Sequence, residues 1–565
     1  MREAGGKIGG SRLKGADVDA AGGVFDYVIV GAGSAGCVLA TRLTEDPQTS
    51  VLVIEAGGPA RGLFIDMPVA FPRYALGPRQ NWNFVSEPEP GLNGRSVQVP
   101  RGKVIGGSSA INGLVYARGH RLDYDDWRAM GLEGWAYADV LPYFKRSERS
   151  WLGAGLYHGA AGELEVTVPK SEYVLTDLVA QATAAAGYPV TADYHGEHSE
   201  GFMRMEMTAT RRGRRASAAR AFLRPAMRRP NLTVRSHALV HRILLEQGRA
   251  VGVEYIVKGQ PQCVRAAREV ILSGGVYGSA QTLLLSGIGP ADELRAHGIE
   301  PVVDLPGVGR NLSEHPLTFV LHAAEPRTFL TRLRADRAVL SVIRWALSGT
   351  GPFATNACAG NVFLRTLPDL DRPDMQLTCP AGGSAAEPGA RIWWPILEHP
   401  EHSLAVAVSM IREDSRGTVT LRSASPTDPP RILFNLFREK SDVARMIRGI
   451  RATREIYGQE PLKSLIRREI VPGPEKSSDA ELEQYIRDTG VITQHPVGTC
   501  RMGRDEQAVV DAELKVRGVA GLRVIDASVM PSVPGGNTNA PTIMVAEKGA
   551  DLIRGQRLPP ARASS

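Results

Sequence analysis

Cysteine is scarce in this chain of 565 residues. The five cysteines are widely spaced, odd in number and never arranged as C-x-x-C, which fits neither a disulfide framework nor a zinc site. They are Cys37, Cys263, Cys358, Cys379 and Cys500. We therefore expect free thiols in a reducing compartment, a cytoplasmic location and no metal centre.

Long hydrophobic runs are also absent. No uninterrupted apolar stretch approaches the length needed to cross a bilayer, so we expect no transmembrane segment, while peripheral contact with a membrane stays compatible with the composition. Residues 1–23 are rich in Gly and Ala and lack the apolar core of a secretory signal. They are predicted to form a flexible leader.

Charged residues of one sign are concentrated at only one place in the sequence. The net charge is +7, and four arginines cluster between residues 211 and 215. No nucleic-acid module is legible, so we expect no nucleic-acid partner. The positive balance is attributed to bound phosphates or to solubility.

Glycine, in contrast, is abundant and ordered. The run V-I-V-G-A-G-S-A-G over 28–36 lies between a predicted strand and a predicted helix that starts near Ser34. Gly31 permits the tight turn, Gly33 lets the backbone approach a pyrophosphate, and Gly36 lets the helix pack closely. A second apolar strand then ends at Glu55, which can accept ribose hydroxyls. These features predict a bound dinucleotide.

The hydrophobic pattern predicts an α/β protein, α+β overall. A Rossmann-like domain over 24–316 and 480–560 is interrupted by a substrate domain over 317–479, which can also recruit part of 150–210. The inserted domain is expected to contain an antiparallel sheet and helices. The predicted elements are parallel strands at 269–272 and 522–525, strands at 404–410, 418–421 and 432–434, and a helix at 441–457.

A second glycine-rich segment, R-G-K-V-I-G-G-S-S-A-I-N-G-L-V-Y-A-R-G, begins at Arg101. Its small residues would let backbone lie against a planar ring, and Asn112 could hydrogen-bond the ring edge. With the first fingerprint, it resembles the glucose-methanol-choline (GMC) family of FAD-dependent oxidoreductases. S-G-G-V-Y-G-S-A-Q-T-L-L-L-S-G-I-G-P from Ser273 resembles the family's second signature, although Val276 and Ala280 replace an expected Ala and Pro.

Two C-terminal segments extend the resemblance. They are Q-H-P-V-G-T-C-R-M-G from Gln494 and V-I-D-A-S-V-M-P-S-V-P-G-G-N-T-N-A-P-T from Val524. The resemblance spans 25–553 and implies FAD as the cofactor. The residues it assigns to FAD binding are Gly31, Gly33, Ser34, Ala35, Gly36, Glu55, Ala56, Arg101, Val104, Gly107, Asn112, Gly113, Leu114, Val115, Val240, Asp526, Ala527, Ala540 and Pro541.

The resemblance also implies particular contacts. The Val240 backbone is expected at the adenine, Asp526 and Ala527 at the ribityl and pyrophosphate groups, and the backbone of residues 540 and 541 at the pyrimidine edge of the flavin. Some members attach FAD covalently through a histidine in the Gly-Ser loop, where this chain has Ile111. We therefore expect noncovalent FAD.

The family-like segments place His495 and Asn539 as the catalytic residues. The predicted activity is oxidation of a primary alcohol to an aldehyde, with His495 as base and hydride transfer to flavin N5. Asn539 would donate to the substrate oxygen, just before a helix with Pro541 at its first position. His315 lies in another family-like segment, where a structural role is favoured.

Two other reactions on this fold stay open from the residues. One is redox-neutral cleavage of a hydroxynitrile; the other is light-driven fatty-acid decarboxylation, for which Cys358 has a counterpart but Thr378 stands where an arginine is expected. The sequence does not choose between dioxygen and a quinone-like acceptor, nor among choline-like, aromatic and aliphatic alcohols. The loop 63–84 and the inserted domain are expected to line the substrate pocket, and Trp393 and Trp394 could pack against an alcohol or serve the sheet.

Overall fold

Aliphatic strands pair in parallel at the centre of the first sheet. Val28 and Ile29 of β1 (Val24–Val30) and the first three residues of β2 (Val51–Ile54) are fully buried, because this parallel sheet is covered on both faces. The other strands are β8 (Leu232–Arg235), β9 (Ala238–Glu246), β10 (Arg249–Val257), β11 (Gln260–Leu272) and β23 (Leu522–Val524). The spatial order is β8-β2-β1-β11-β10-β9, with β23 beside β11.

The long strand β11 serves two kinds of pairing. Its first half pairs antiparallel with β10, and its end, residues 269–272, pairs in parallel with β1 and β23. The predicted parallel strands at 269–272 and 522–525 are therefore confirmed. Because parallel strands end at the same edge, the glycine turn after β1, the turn after β11 and Asp526 after β23 come together there.

The second sheet is antiparallel and lies under a long helix. Its strands are β7 (Gly201–Arg204), β14 (Pro316–Ala324), β15 (Cys358–Leu364), β16 (Met375–Pro380), β17 (Gly383–Ser384), β18 (His402–Met410), β21 (Ile466–Val471) and β22 (Val491–Ile492). Strand β7 lies within 150–210, the part of the chain that the substrate domain was expected to recruit, whereas β22 lies outside both 317–479 and 150–210. The predicted strand at 404–410 is β18.

Four two-stranded sheets complete the strands of the described residues. They are β3 (Phe84–Val85) with β4 (Gln98–Val99), β5 (Glu148–Ser150) with β6 (Leu164–Val166), β12 (Ile288–Gly289) with β13 (Val303–Asp304), and β19 (Thr418–Thr420) with β20 (Arg431–Leu433). The predicted strands at 418–421 and 432–434 thus pair with each other, apart from the second sheet.

The helices cover the two large sheets. They are α1 (Ser34–Leu43), α2 (Leu63–Asp66), α3 (Phe71–Ala75), α4 (Arg121–Ala129), α5 (Tyr137–Ser147), α6 (Thr176–Ala185), α7 (Arg224–Ala226), α8 (Gly275–Leu285), α9 (Ala291–Ala296), α10 (Ala335–Ser348), α11 (Lys440–Tyr457), α12 (Asp479–Thr489) and α13 (Asn539–Arg554). Helices α1 and α13 pack together, and α11, predicted at 441–457, packs on β18. The predicted α/β class, with a Rossmann-like part and a second antiparallel sheet, is confirmed.

These coordinates come from a computed structural model that describes residues 23–75, 77–78, 80–170, 175–325, 329, 335–384 and 402–561. All but the last residue of the predicted leader lies outside the described residues, and so do Trp393 and Trp394. Among the described residues, no helix combines the length and apolar character required to span a membrane.

Candidate active site

The turn between β1 and α1 allows close approach of backbone. Gly31 has φ +100°, and a Cβ there would lie 2.5 Å from the carbonyl oxygen of Ser273. A Cβ on Gly36 would lie 1.9 Å from the carbonyl oxygen of Gly31. Helix α1 begins at Ser34 with Gly33 at its cap, and Gly33 supplies no side chain to the first N–H groups. These N–H groups can therefore bind an anion.

Glu55 lies buried at the end of β2. One carboxylate oxygen accepts from the backbone N–H of Ala32 at 2.9 Å, and the other accepts from that of Gly57 at 2.7 Å. Burial raises the pKa of this carboxyl group. Each oxygen has a second lone pair, so Glu55 can hold the turn and also accept ribose hydroxyls.

The second glycine-rich segment meets the first directly. Gly107 has φ +52°, and a Cβ there would lie 2.7 Å from the Cα of Gly33. Nearby, Oδ1 of Asn112 accepts from the Leu114 N–H at 3.1 Å and from Nη1 of Arg215 at 2.8 Å. These bonds hold the amide oxygen, and the Asn112 amide nitrogen can serve a ligand edge.

Most residues predicted to bind the cofactor line one cavity of about 890 Å³. They are Gly31, Gly33, Ser34, Ala35, Glu55, Ala56, Arg101, Gly107, Asn112, Gly113, Leu114, Val115, Val240, Asp526 and Ala527. The other four do not line it. Gly36 faces the Gly31 turn, Val104 packs in an apolar cluster with Ile111, and Ala540 and Pro541 are buried in the first turn of α13.

The Asp526 carboxylate is held by two neighbouring segments of the chain. Its Oδ2 accepts from the Gly275 N–H at 2.8 Å and from the Ser279 hydroxyl at 2.6 Å, and its Oδ1 accepts from the Ser528 N–H at 2.8 Å. The carboxylate therefore fixes the start of α8 and the turn after β23. Asp526 lines the cavity while its side chain holds these two segments together.

A histidine pair and an amide meet on the cavity wall. Nδ2 of Asn537 lies 2.9 Å from Nε2 of His495, and Nδ1 of His495 lies 3.1 Å from Nδ1 of His315. The two rings are nearly perpendicular, at 85°. His315 is fully buried, and its Nε2 has no hydrogen-bond partner among the described residues.

The amide beside His495 belongs to Asn537, not to Asn539. Asn539 is the first residue of α13, and its Oδ1 accepts from the Ser34 hydroxyl at the start of α1, at 2.7 Å. The structure therefore corrects the expected pairing of Asn539 with His495. It also places Pro541 third in the helix, where an N–H is still not needed within the helix. Asn539 lines the cavity next to Ser34, at the start of α1.

Burial and a nearby cation keep the His495 ring neutral. Burial, together with the Arg101 guanidinium, lowers the pKa of His495 to about 3. Burial lowers the pKa of His315 as well. Glu314 accepts from the His495 backbone N–H at 2.7 Å, and burial raises the pKa of its carboxyl group to about 8. Both imidazoles are therefore proton acceptors, and Glu314 is protonated near neutral pH.

The second sheet orients the amide of Asn537. Nε2 of Gln376 donates to Oδ1 of Asn537 at 3.2 Å and to Oδ1 of Asn361 at 3.0 Å. The Thr378 hydroxyl donates to the same Asn361 oxygen at 2.8 Å. Because Oδ1 of Asn537 accepts from Gln376, its Nδ2 must face His495.

Several of these residues were missed from the sequence. In N-T-N the two amides are two positions apart, and only the point where α13 begins decides which one faces His495. Glu314 stands beside His315 in E-H-P, a signal that could have drawn attention to it. Gln376 carries no motif, because its contact depends on how the second sheet meets the first.

Comparison with known proteins identifies the family. Two family sequence models, both described as GMC oxidoreductase, match residues 25–317 and 413–546. The chain belongs to the GMC oxidoreductase family. It is 43% identical over 551 residues to an oxygen-dependent choline dehydrogenase of Stenotrophomonas maltophilia (strain R551-3), covering 96% of each protein. It is also 43% identical over 546 residues to the mitochondrial choline dehydrogenase of Mus musculus, covering 94% of this chain and 89% of that protein.

Solved structures of two oxidases share the fold. Pyridoxine 4-oxidase from Mesorbium loti superposes on this GMC oxidoreductase with a TM-score of 0.83 and 30% identity, over 94% of this chain and 100% of that one. Formate oxidase from Aspergillus oryzae gives 0.87 and 27%, over 95% and 99%. The protein is an FAD-dependent oxidoreductase of the alcohol-oxidising kind, and no comparison supports the lyase or the photodecarboxylase.

Proposed function

We propose that this GMC oxidoreductase oxidises a primary alcohol to an aldehyde, with His495 as the base. The observation that supports it best is the 2.9 Å pairing of His495 Nε2 with Asn537 Nδ2 in a cavity that the dinucleotide turns also line. Those turns would hold FAD, which when bound would supply the electron sink for a hydride at N5. The chain supplies the groups that handle the hydroxyl proton.

An alcohol oxygen fits between the imidazole and the amide. Placed there, its hydroxyl donates to Nε2 of His495 and its oxygen accepts from Nδ2 of Asn537, which replaces the direct bond between the two side chains. As the proton moves to His495, negative charge grows on the oxygen, and the Asn537 donor stabilises it. Gln376 keeps that donor pointing at the oxygen.

His315 determines where the hydrogen of His495 sits. With Nε2 free to accept, neutral His495 carries its hydrogen on Nδ1 and donates it to Nδ1 of His315, so His315 carries its own hydrogen on Nε2. When His495 takes the substrate proton, its Nδ1–H keeps the same acceptor. His315 is therefore a positioning residue, a functional role that the sequence had not favoured.

The substrate end of the cavity suits a neutral alcohol. Among the described lining residues, the carboxylates are Glu55, Asp428 and Asp526; the first and last hold backbone turns, and Asp428 lies beside Gln281 of α8. The wall from the second sheet has apolar and uncharged polar side chains instead. Its described residues include Leu317, Phe319, Cys358, Gln376, Thr378, Pro380, Ala407 and Ser409.

Cations already lie near that end. Lys103 is 4.3 Å from the centroid of the Trp82 ring, and Arg101 donates to Gln494, the neighbour of His495. A quaternary ammonium would find a lysine over the indole ring and no carboxylate among the described residues of that wall. We therefore propose an aromatic or aliphatic neutral alcohol, in preference to choline, as the substrate.

Anaerobic stopped-flow bleaching of the flavin tests the reaction and the substrate class together. We expect benzyl and medium-chain alcohols to reduce the flavin and choline to reduce it weakly. His495→Ala should slow reduction by about 10²-fold or more while FAD stays bound. His297→Ala, at the end of α9, is the matched control. Undiminished reduction in His495→Ala would remove this base from the mechanism, and faster reduction by choline would overturn the substrate class.

FAD is proposed to bind without a covalent bond. Ile111 occupies the Gly-Ser loop, and His495 is the histidine among the described lining residues. Acid precipitation should release the yellow chromophore into the supernatant. Colour that stays in the pellet would contradict the proposal.

The electron acceptor of the reduced flavin and the cellular compartment of the protein stay predictions. Dioxygen or a quinone-like molecule reoxidises the flavin, and admitting each separately after anaerobic reduction distinguishes the two. All five cysteines are buried and none forms a disulfide, and we propose a reducing cytoplasmic location. We propose no nucleic-acid partner.

A further inference from the structure

Helix α10 carries an exposed apolar face. Val339, Leu340, Ile343 and Leu347 are 61, 69, 48 and 84% exposed. Their spacing of one, three and four residues puts all four on one side of a helix. Single exposed apolar residues are ordinary, but four in one stripe form a contiguous apolar patch of the kind that marks an interaction surface.

The opposite face of α10 anchors it to the protein. Ala338 and Trp345 are buried in a cluster with Met67 and Phe353, and the Trp345 indole N–H donates to the Gly213 carbonyl oxygen at 2.6 Å. The core contacts of the helix are therefore made without the exposed stripe. We call the stripe of Val339, Leu340, Ile343 and Leu347 the α10 face.

Basic residues border the α10 face. The Arg214 guanidinium lies 4.9 Å from the Trp345 ring centroid, and a Cβ on Gly349, just after the helix, would lie 2.4 Å from the Arg212 backbone. Arg211 and Arg212 are exposed, and so is Arg344 on the helix itself. The arginine cluster that stood out in the sequence is thus located at the end of α10.

Lys170 adds to the same border, because its ammonium donates to the Arg211 carbonyl oxygen at 3.1 Å and is exposed. Asp66 lies near this border, 2.6 Å from Arg220 and 3.9 Å from Arg214, and Glu165 accepts from the Arg211 backbone N–H at 2.8 Å. The exposed cations Arg211, Arg212, Arg344 and Lys170 outnumber these carboxylates, so the border keeps a net positive charge.

We propose that the α10 face, with Arg211, Arg212, Arg344 and Lys170, docks on a lipid bilayer that carries anionic headgroups. A short amphipathic helix with apolar residues on one side and cations at its edge lies in the plane of a membrane interface. The apolar stripe enters the acyl boundary, and the basic border meets the headgroup charge. The charge decides against self-association, since a symmetric contact would bring the basic borders of two copies together.

The buried side of α10 is linked to a wall of the active-site cavity through two turns. Helix α10 packs on the turn at 352–354, that turn packs on the turn at 68–70, and Phe71, next in the chain, lines the cavity. This proposal concerns a partner and stands apart from the proposed reaction.

Flotation of the FAD-loaded enzyme with vesicles tests the surface. One set of vesicles is phosphatidylcholine alone, and the other contains phosphatidylglycerol at a quarter of the lipid. We expect binding to the anionic vesicles that weakens with salt, and a loss of about tenfold or more in Leu340→Glu/Leu347→Glu. The matched control is Met130→Glu/Val302→Glu, two exposed apolar residues outside α10. An Arg211→Gln/Arg212→Gln variant should lose mainly the dependence on anionic lipid.

Each outcome decides the proposal. Equal vesicle binding by the α10 variant and its control would overturn it. Absence of vesicle binding by the wild type, together with a dimer that Leu340→Glu/Leu347→Glu converts to a monomer, would assign the α10 face to a second copy of the chain. Unchanged visible flavin absorbance and alcohol-dependent bleaching show that the variants fold and that the proposed reaction does not depend on the result.

Discussion

A neutral imidazole, that of His315, lies beside Nδ1 of His495, where many enzymes use a carboxylate. His315 is fully buried and meets His495 at 3.1 Å. The pair therefore holds the base in one orientation and one tautomer without a buried negative charge. Replacing the acceptor should consequently affect proton uptake more than binding of the alcohol.

His315→Phe should slow flavin reduction by about tenfold or more, because a hydrogen bond to a charged group contributes about 1.5–3 kcal/mol. His315→Asn keeps an acceptor oxygen and should retain most of the rate. Reduction rates against pH and alcohol concentration, with FAD content as a control, measure the effect. Equal losses in both variants, or a change in KM alone, would indicate that His315 has only a packing role.

Asn537 and Asn539 offer a matched pair of substitutions. Asn537→Ala removes the donor beside His495 Nε2 and should slow flavin reduction by about 10²-fold. Asn539→Ala removes the bond to Ser34 and should keep most of the rate. Single-turnover reduction at saturating alcohol is the measurement. A larger loss in Asn539→Ala would restore the assignment that the sequence favoured.

Glu314 should make reduction depend on pH near 8. Burial raises the pKa of its carboxyl group to about 8, so it is neutral below that pH and ionised above it. An anion beside His495 favours the imidazolium, and the reduction rate should therefore rise as pH increases through about 8. In Glu314→Gln, which cannot ionise, we expect a flat profile across this range. A wild-type profile without a rise, or an unchanged rise in the variant, would contradict this assignment.

Most residues that the motifs assign to the dinucleotide end line one cavity, because the turn, the strand ends and the helix start are close in sequence. The substrate end was less accessible. Which asparagine faces the base depends on where α13 begins, and the partners His315 and Gln376 come from β14's start and from β16, far along the chain. Sequence spacing carries no signal for contacts of that range.

At the scale of elements, buried ion pairs join α1, α5 and α13. Glu547 on α13 is fully buried and accepts from Arg42 of α1 at 2.8 Å and from Arg146 of α5 at 2.6 Å. Arg42 also bonds Glu163 at 2.8 Å. The network holds α1 against α13. Both helices begin at the cavity, since Ser34 and Asn539 line it.

Glu547→Ala should lower the thermal stability strongly. Removing one partner of a buried pair leaves uncompensated cations and costs about 3–5 kcal/mol. Glu483→Ala breaks the exposed i,i+4 pair with Arg487 on α12 and should cost about 0.3–0.5 kcal/mol. Thermal unfolding midpoints of the two FAD-loaded variants measure the difference. Similar midpoints would show that the network is not needed to hold α1 against α13.

At the same scale, the local sequence pattern predicted the bounds of an element best where its apolar pattern is continuous. Strand β18 and helix α11 were predicted to within two residues, because their apolar run or helical spacing is unbroken. The sheet that a strand joins was harder to predict. Strand β22 joins the second sheet from 491–492, and β19 pairs with β20 alone, since both choices depend on contacts between distant segments.

At the scale of the whole molecule, one cavity connects the two large sheets. The turns after β1, β2 and β11 line it on one side, and residues of β14, β16 and β18 line it on the other. A cofactor bound there contacts both, so its binding energy contributes to the cohesion of the molecule.

Added FAD should therefore raise the thermal midpoint of protein from which FAD has been removed. A ligand that binds only the folded state at 100 times its Kd stabilises by about 2.7 kcal/mol. FMN lacks the adenosine half that the Glu55 end is proposed to hold, and it should raise the midpoint less. Differential scanning calorimetry at several FAD concentrations gives the measurement. A midpoint that does not respond to FAD would contradict noncovalent binding in this cavity.

Gly33 and Gly107 set how closely the two glycine-rich segments that line the cavity approach each other. A methyl group at residue 107 would act as a spacer between the two segments and widen the cavity there. A cofactor that spans both segments must therefore match the short backbone-to-backbone distance that these two glycines allow.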